Sequence, residues 1–390
     1  MRDAFLLDPD VIFLNHGSFG ACPREVFAQY QQWQLTLERN PVEFLGRRSA
    51  ELLWQARQHL AVYLGARADD LAFVPNTTTG VNIVARSLVL SPGDEVLATD
   101  HEYGACEAVW KFVCDKARAH FRRVQIPLPF EPATFVSRML EAITPRTRVI
   151  FVSHITSTTA LIFPLAALCE AARERGIMTL IDGAHAPGHI DLQLDQLGAD
   201  FYTGNCHKWL CAPKGSAFLH AREEHQRRLD APVISWGYVA DTEGHLGGHT
   251  GFAAYTGNTP LERRLQWQGT RDIAAYLTVP AVIDFQARHD WPRRRAQCHC
   301  LAWETLQRVL LHNGLQPSAP ASAQMQMVTI PVRCRDPDSL RRTLFEKHRI
   351  EVPVTRHGDH VFVRLSVQAY TTQHDLDALV TALSRETEPR

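Results

Sequence analysis

The sequence predicts an α/β fold: a large domain built on a mainly parallel, seven-stranded sheet covered by helices, followed by a smaller C-terminal α/β domain. The chain has 390 residues, of which 45% are hydrophobic and 21% are charged, so it can bury a large core. Short apolar runs alternate with amphipathic segments of helix length until about residue 275, where long helical stretches begin. We therefore expect a large domain over residues 16–275 and a small domain over residues 276–390, joined by residues 1–15.

Seven apolar runs are the predicted strands of the large domain. They are VIFLN (11–15), LAFVPN (71–76), EVLATD (95–100), RVIFVSHI (148–155), MTLIDGA (178–184), DFYTGN (200–205) and SAFLHA (216–221). Amphipathic stretches at 81–90, 104–120 and 164–176 separate several of them, and this alternation is typical of parallel pairing. In the C-terminal part, MQMVTIPV, RIEVPV and HVFVRLSVQ are predicted strands, and a last helix begins at Thr372.

Composition narrows the classes of function. The 41 basic and 42 acidic side chains give a net charge of -1, so no global field attracts nucleic acid or an anionic membrane, and we expect neither partner. Acidic residues interrupt the N-terminal apolar runs, and we expect a cytoplasmic protein. Nine cysteines without paired spacing predict reduced thiols. Cys298-His299-Cys300 is interpreted as helix surface, because no further metal ligands accompany it.

Polar residues follow the predicted strands, at the edge where ligands bind in open α/β sheets. PNTTTGVN (75–82) places hydroxyl side chains and a glycine at a helix start, which favours a phosphate, although an ordinary helix cap gives the same pattern. Asp182 ends an apolar strand, where a carboxylate needs a cation or a hydrogen-bonding partner. Lys208 follows the next strand, so it lies at the same edge, and desolvation there would lower its pKa and make it an amine nucleophile.

An amine, a carboxylate and a helix terminus at one site are the parts that pyridoxal phosphate requires. The ordered motifs also resemble the class V aminotransferase group of fold-type I pyridoxal-phosphate enzymes, and within it the isopenicillin N epimerase-like proteins. The motifs that carry this resemblance are FLNHGSFG (13–20), NTTTGVN (76–82), DHEYGA (100–105), SHITSTTALIFPL (153–165), DGAHAPG (182–188), GNCHKWL (204–210), WQGTRD (267–272) and RLSVQAYTT (364–372).

The resemblance implies a role for each matching residue. Lys208 forms the covalent imine with the cofactor, and Asp182 pairs with the pyridinium nitrogen. His185 and Ser157 contact the ring 3′-oxygen, and Arg364 grips the carboxylate of an amino-acid substrate with its bidentate guanidinium. The residues implied to hold the phosphate are Thr78, Thr79, Asn205 and His207, with Thr270 contributed by the neighbouring subunit. The resemblance therefore implies a homodimer with a shared active site.

Residues near the predicted cofactor ring leave alternatives open. His101 and Tyr103 compete for the place over the ring, and the aromatic face of a tyrosine favours Tyr103. Either one, or a water held by His16, is a candidate for delivering a proton to the face opposite Lys208. Asn15 and His16 are candidates for substrate binding, although the pair is also typical of a turn into the first helix.

The reaction stays open among epimerisation, transamination and elimination, since loss of the Cα proton can lead to each of them. We expect an enzyme that acts at the α- or β-carbon of an amino acid through Lys208, epimerase-like, with a carbon–sulfur lyase or aminotransferase as alternatives. Related desulfurases carry a nucleophilic cysteine in the stretch that corresponds to EVPVTRHGDHVFV (351–363), which has none.

Two further interpretations concern metal binding and a lid. A metal-dependent hydrolase using Asp182, His185 and His189 is a distant alternative, because Pro187 interrupts the helix that would align the ligands. Residues 236–259 are rich in glycine and aromatic residues and are interpreted as either a substrate-selecting lid or a disordered insertion.

Overall fold

A seven-stranded sheet lies at the centre of this computed structural model, which describes residues 1–242 and 253–388. The strands of this sheet and of two smaller sheets are β1 Ile12–Phe13, β2 Leu71–Val74, β3 Glu95–Thr99, β4 His120–Val124, β5 Thr147–Ser153, β6 Met178–Asp182, β7 Phe201–Asn205, β8 Ala217–Ala221, β9 Met327–Pro331, β10 Ile350–Glu351, β11 Val354–His357 and β12 His360–Ser366.

The α-helices of the described residues are α1 His16–Phe19, α2 Arg24–Arg39, α3 Pro41–Glu43, α4 Ser49–Leu64, α5 Thr77–Ser87, α6 Gly104–Ala117, α7 Pro132–Glu141, α8 Ala166–Glu174, α9 Leu194–Leu197, α10 Glu223–Gln226, α11 Trp236–Thr242, α12 Ala253–Thr256, α13 Pro260–Leu265, α14 Ala274–Leu277, α15 Val279–Arg288, α16 Trp291–Asn313, α17 Pro337–His348 and α18 Gln373–Glu386. Short 3-10 turns span Arg2–Ala4, Ala68–Asp70 and Ala321–Ala323, and a π-helical segment spans Phe44–Arg48.

The central sheet has the strand order β2-β8-β7-β6-β5-β3-β4. Pairing is parallel from β4 through β3, β5 and β6 to β7. The strand β8 is antiparallel to both of its neighbours, β7 and β2. The prediction of a mainly parallel, seven-stranded sheet is therefore confirmed, with antiparallel pairing confined to one end.

Alternate side chains of the central strands enter two hydrophobic cores. Leu97 of β3 and Ile150 of β5 belong to one core, whereas their chain neighbours Val96 and Phe151 belong to the other. All four are fully buried. This alternation follows the two-residue period of a strand and requires helices on both faces of the sheet.

Two strand predictions are wrong in detail. Only Ile12 and Phe13 of the run 11–15 form a strand, and this strand pairs with β10 in a separate two-stranded sheet. The seventh central strand is β4, which was not predicted and whose first residue, His120, ends the predicted amphipathic stretch 104–120. The HFRRV sequence of β4 lies at the edge of the sheet and is only partly buried, so it lacks the continuous apolar run of an inner strand.

The C-terminal part contains a three-stranded antiparallel sheet in the order β11-β12-β9. It shares a hydrophobic core with α16, α17 and α18, which Leu14 also enters from the N-terminal segment. The run RIEVPV forms two short strands, β10 and the start of β11, rather than one. The last helix follows Thr372 as predicted, and Thr372 and Asp375 form a reciprocal capping box. The proposed domain bounds stay a prediction.

The predicted lid over 236–259 is described only at its two ends, by α11 and α12. Residues 243–252, with His245 and His249, lie outside the described residues, so the lid interpretation stays a prediction. Of the helices in the described residues, none is both long enough and apolar enough to cross a membrane.

Candidate active site

A cavity of about 220 Å³ lies at the carboxyl ends of β6 and β7, the edge at which the sequence predicts a ligand site. Parallel pairing of the two strands brings Asp182 and Asn205 to this edge. The predicted site residues that line the cavity are Thr78, Tyr103, Ser157, Asp182, His185, Asn205, His207, Lys208 and Arg364. The predicted site residues that do not line it are Asn15, His16, Thr79, His101 and Thr270.

The amine of Lys208 is poised as a nucleophile. Burial, together with the charge of Arg364, lowers the pKa of Lys208 to about 8. Its Nζ atom lies 3.2 Å from Nε2 of His185, and the Trp209 indole donates to Nδ1 of His185 at 3.3 Å. Burial holds the pKa of His185 well below its usual range, so the ring is neutral and carries its proton on Nε2. The proton on Nε2 of His185 therefore faces the Lys208 amine, which accepts this hydrogen bond when the amine is neutral.

The first short helix supports the backbone that carries Lys208. Gly20, directly after α1, has a φ of 72°, in the left-handed region that favours glycine. A Cβ atom at Gly20 would lie 2.0 Å from the carbonyl oxygen of His207. His16 is buried, with Nε2 3.1 Å from the Lys208 carbonyl oxygen and Nδ1 3.1 Å from the Tyr370 hydroxyl. The expectation that His16 binds substrate is corrected, because its ring holds the lysine backbone instead.

The carboxylate of Asp182 is buried, and only two hydrogen bonds from the described residues compensate for its burial. Oδ1 accepts a hydrogen bond from the backbone N–H of Ala184 at 2.9 Å, and Oδ2 accepts from the Cys106 thiol at 3.5 Å. Burial raises the pKa of Asp182, and the Ala184 hydrogen bond and the charge of Lys208 act against this rise. Because a thiol is a weak donor, Oδ2 still favours a cationic partner. The position therefore fits the protonated ring nitrogen of pyridoxal phosphate.

The first turn of α5 forms the wall at which a phosphate is expected. Thr78 is the second residue of this helix, where backbone N–H groups lack intrahelical acceptors and the helix dipole favours an anion. Asn205 accepts from the backbone N–H of Thr77 at 2.9 Å and ties the helix start to β7. Gly80 permits close packing, since a Cβ atom there would lie 2.1 Å from Oγ1 of Thr203. Because the N–H groups of Thr77 and Thr79 already have protein acceptors, Thr78 is the residue of this turn that fits a phosphate group.

Two other residues that were predicted to hold the phosphate, Thr79 and His207, form hydrogen bonds within the protein. The N–H and hydroxyl of Thr79 donate to Oδ1 of Asn76 at 2.8 and 3.1 Å, which is the helix cap that the sequence left open. His207 lines the cavity, but its Nδ1 donates to the Ser216 carbonyl at 3.0 Å, and burial lowers its pKa to about 4. A neutral ring so arranged has no proton on Nε2, and the phosphate contact of His207 stays a prediction.

Arg364 brings a buried positive charge from β12 to the cavity. Its guanidinium donates to the Ser157 carbonyl at 2.6 Å and to the Ser18 hydroxyl at 2.9 Å. Asn15 accepts from the same guanidinium at 3.5 Å, so it contacts the arginine instead of lining the cavity. Burial lowers the pKa of Arg364 to about 10, which leaves it charged at neutral pH. These acceptors are all neutral oxygens, and the charge is available for a substrate carboxylate.

The structure places Tyr103, and not His101, at the cavity. The ring of His101 is buried, with Nε2 donating to the Ile126 carbonyl at 2.8 Å and Nδ1 2.7 Å from the Thr159 hydroxyl. It also stacks on His357, with ring centres 3.9 Å apart. Both nitrogens of His101 are thus engaged in buried hydrogen bonds. The expectation that His101 lies over a cofactor ring or delivers a proton there is corrected.

The metal-hydrolase alternative finds no support in the described residues. Two groups of histidine and aspartate side chains bring their ligand atoms within 4.8 Å of one another, and neither contains Asp182, His185, His189 or the run 298–300. His189 instead hydrogen-bonds through Nδ1 to the His185 carbonyl at 3.1 Å and stacks on Trp209. His189 therefore belongs to the packing around the tryptophan.

Several residues at the site were not predicted. Ser18 and Phe19 of α1 and Ser153 of β5 line the cavity, and Cys106 of α6 contacts Asp182. The FLNHGSFG motif contains the first two, so the motif was the available signal for them. Ser153 begins the SHITSTTALIFPL motif (153–165), which was the available signal for it. Cys106 reaches the site through the packing of α6, for which the local sequence carries no pattern.

Comparison with known proteins identifies the family. The family model described as Aminotransferase class-V matches residues 13–379. The chain belongs to the class V aminotransferase family. Within that family, it is a pyridoxal-phosphate-dependent enzyme, as the motifs and the site predicted.

The sequence aligns with two related proteins over almost its whole length. It is 39% identical to an isopenicillin N epimerase of Amycolatopsis lactamdurans, over 98% of this chain and 96% of that one. It is 30% identical to a probable chloroplastic L-cysteine desulfhydrase of Arabidopsis thaliana, over 97% of this chain and 83% of that one. The resemblance to isopenicillin N epimerase-like proteins is thus confirmed.

Solved structures share the fold. A cysteine desulfurase from Escherichia coli matches with a TM-score of 0.80 at 22% identity, over 99% of this chain and 97% of that one. A cystine C–S lyase in complex with cysteine persulfide matches with a TM-score of 0.77 at 21% identity, over 96% of this chain and 98% of that one. The predicted fold-type I architecture is confirmed, and at these identities the likeness extends to the fold alone.

Proposed function

We propose that the protein is an epimerase-type enzyme, which removes the Cα proton of an amino-acid substrate and returns a proton to the opposite face of that carbon. The observation that carries the proposal is the convergence of Lys208, Asp182, Arg364 and Tyr103 on one cavity. The 39% identity to two isopenicillin N epimerases along nearly the whole chain supports it. The substrate class is an amino acid with a free carboxylate for Arg364.

The cavity residues would hold pyridoxal phosphate at each of its polar groups. When bound, this cofactor supplies an electron sink for the negative charge that develops at Cα. Asp182 would hold the ring nitrogen, the start of α5 at Thr78 the phosphate, and Lys208 the aldehyde carbon. His185 and Ser157, which line the same cavity, would contact the ring oxygen.

Lys208 is the proposed base on one face of the substrate. A pKa of about 8 keeps a useful fraction of its amine neutral near physiological pH, where a base of matched strength is most effective. The contact of Nζ with Nε2 of His185, at 3.2 Å, places the amine at the cavity. Arg364 would fix the substrate carboxylate and thereby direct the Cα–H bond at the base.

Tyr103 is the proposed proton donor to the other face. It reaches the cavity from the segment after β3, whereas Lys208 follows β7, and β5 and β6 lie between these strands. The two side chains therefore approach the cavity from different parts of the sheet. Tyr103 is 47% exposed, so its hydroxyl can recover a proton from water after each turnover.

Carbon–sulfur lyase activity is the second candidate, favoured by the 30% identity to an L-cysteine desulfhydrase. Elimination at the β-carbon needs the same Lys208 base and no second donor. None of the nine cysteines lines the cavity within the described part of the chain, which disfavours a reaction that depends on a thiol nucleophile. Transamination is a further alternative within the family.

Replacing Tyr103 by phenylalanine is expected to separate the two candidates. In deuterated water, the wild-type holoenzyme should exchange the α-hydrogen of a bound L-amino acid and form the D-isomer. Tyr103→Phe should lower D-isomer formation by about 10²-fold while exchange in the L-isomer continues, because only the second proton donor is lost. Mass spectrometry and chiral chromatography measure the two outcomes across a panel of L-amino acids and cysteine conjugates.

Tyr30→Phe, which removes a hydroxyl outside the cavity, is the matched control. Exchange without any D-isomer, accompanied by pyruvate or a released thiol, would reject epimerisation and support the lyase. Full D-isomer formation by Tyr103→Phe would remove Tyr103 from the mechanism.

A homodimer with shared sites is part of the proposal. Thr270 is exposed and does not line the cavity of its own chain, so its proposed phosphate contact requires a second chain. Thr270→Ala is expected to weaken cofactor affinity about tenfold, the effect of losing one hydrogen bond to a charged group. Equilibrium dialysis measures the affinity, with Thr381→Ala as an exposed control on α18. An unchanged affinity in Thr270→Ala, or a monomer in sedimentation, would contradict the shared site.

We also propose a cytoplasmic location. All nine cysteines are free, and most of them are buried. Unpaired thiols in this number are typical of a reducing compartment. Fractionation of the source cells, with the protein recovered in the fraction of soluble intracellular proteins, is the expected result.

A further inference from the structure

A second cluster of polar side chains lies at the sheet edge opposite to the cavity. Asp70 directly precedes β2, and His220 lies on β8 opposite Leu71 in the antiparallel register. Asp195 of α9 completes the cluster, with Oδ1 3.9 Å from Nε2 of His220. One ligand atom from each of the three side chains lies within 4.8 Å of the other two.

His220 is the unusual member, because its ring is buried and unsatisfied. Its side chain is 2% exposed, and neither ring nitrogen has a hydrogen-bond partner among the described residues. Buried polar atoms in native proteins almost always have a hydrogen-bond partner. The two unsatisfied nitrogens of His220 therefore indicate that the ring binds a ligand. Burial, with the charge of Arg222, lowers the pKa of His220 to about 4. The ring is therefore neutral at physiological pH, which is the form that coordinates a metal ion.

The charges around the cluster favour a cation. Asp70 is buried, and its burial raises its pKa to about 6, with Asp195 and Glu223 adding to the rise. The cationic group facing Asp70 is Arg67, whose Nε lies 3.9 Å from Oδ2. Arg67 is 58% exposed and hydrogen-bonds to Glu223 at 3.0 Å, so it can leave Asp70 without losing its other partner.

We propose that Asp70, Asp195 and His220 bind one divalent transition-metal cation of the Zn²⁺ type. Imidazole nitrogens and carboxylate oxygens are both protein ligands of such ions, at metal–ligand distances of about 2.0–2.2 Å. The ligand atoms must therefore move closer together, and Asp195, whose side chain is 54% exposed, is free to rotate inward. The ion would join β2, β8 and α9, and it would stabilise the fold without touching the active-site cavity.

The test uses Zn²⁺ on the holoenzyme, in a Cys300→Ser background because Cys300 is an exposed thiol that also binds zinc. After dialysis against a chelator, calorimetric titration should show one Zn²⁺ per chain. Asp195→Asn should weaken this binding at least tenfold, and His220→Gln should do the same. Asp191→Asn removes a nearby exposed carboxylate that pairs with Arg295, and it should leave the binding unchanged.

A second readout guards against misfolding of the buried His220 variant. Zn²⁺ should raise the melting temperature of the parent protein and of Asp191→Asn, but not of Asp195→Asn, whose exposed side chain carries little risk for folding. Arg67→Gln should strengthen Zn²⁺ binding, because a competing charge is removed. Equal Zn²⁺ affinity in the parent and Asp195→Asn, or the absence of stoichiometric binding in the parent, would overturn the proposal.

Discussion

Lys208→Ala is expected to lower the rate of Cα–H exchange by at least about 10³-fold, equivalent to about 4 kcal/mol of transition-state stabilisation. In the proposed function, this variant would lose both the covalent attachment of the cofactor and the base that takes the proton. Among the described residues that line the cavity, Lys208 is the only lysine, so no second side-chain amine can take its place. Deuterium incorporation from solvent, followed by mass spectrometry over single turnovers, measures the loss.

Chemical fixation and pH dependence check the same assignment. Borohydride should fix the cofactor to Lys208 in the wild type and in Lys214→Ala, the control, since Lys214 does not line the cavity. The exchange rate of the wild type should rise with pH up to about 8 and then level off, because the amine of Lys208 accepts a proton only when it is neutral. Fixation to another lysine, or exchange that continues in Lys208→Ala, would refute the role of Lys208.

The central features of the site could be predicted because strand topology is visible in the sequence. Asp182 and Lys208 each follow an apolar run, and parallel strands deliver the residues after them to one sheet edge. Seven strands were expected and seven form the central sheet, yet one of them was misidentified. The run 11–15 has the apolar character of an inner strand, whereas β4 has the polar sequence of an edge strand.

The remaining errors arise from contacts between distant segments. His101 follows β3 in the same way that Asp182 follows β6, but its ring turns into the protein and stacks on His357 from β11. His16 lies in a motif shared with the family, but its ring contacts the backbone of Lys208 rather than the cavity. A sequence shows that a polar side chain stands at the sheet edge, and only the packing of a second segment decides which way it points.

Asp182→Asn is expected to lower the rate of Cα–H exchange by about 10²–10³-fold, the usual effect of losing a preorganised electrostatic partner. Asparagine has nearly the same shape, and its carbonyl oxygen can still accept from the N–H of Ala184. It has no negative charge, so it cannot hold the ring nitrogen protonated, and the cofactor becomes a poorer electron sink. The variant should therefore keep its fold and much of its cofactor while losing rate, which exchange kinetics and cofactor content measure together.

Cys106 supplies the matched control for this prediction. Its thiol donates to the same carboxylate at 3.5 Å, and Cys106→Ala removes that weak hydrogen bond while keeping the negative charge. The rate should then change by less than about tenfold, since a single weak hydrogen bond contributes about 1 kcal/mol. If Cys106→Ala and Asp182→Asn lost rate equally, the local packing rather than the charge would be the cause. A large loss in Asp182→Asn alone is the result expected of a carboxylate that keeps the ring nitrogen charged.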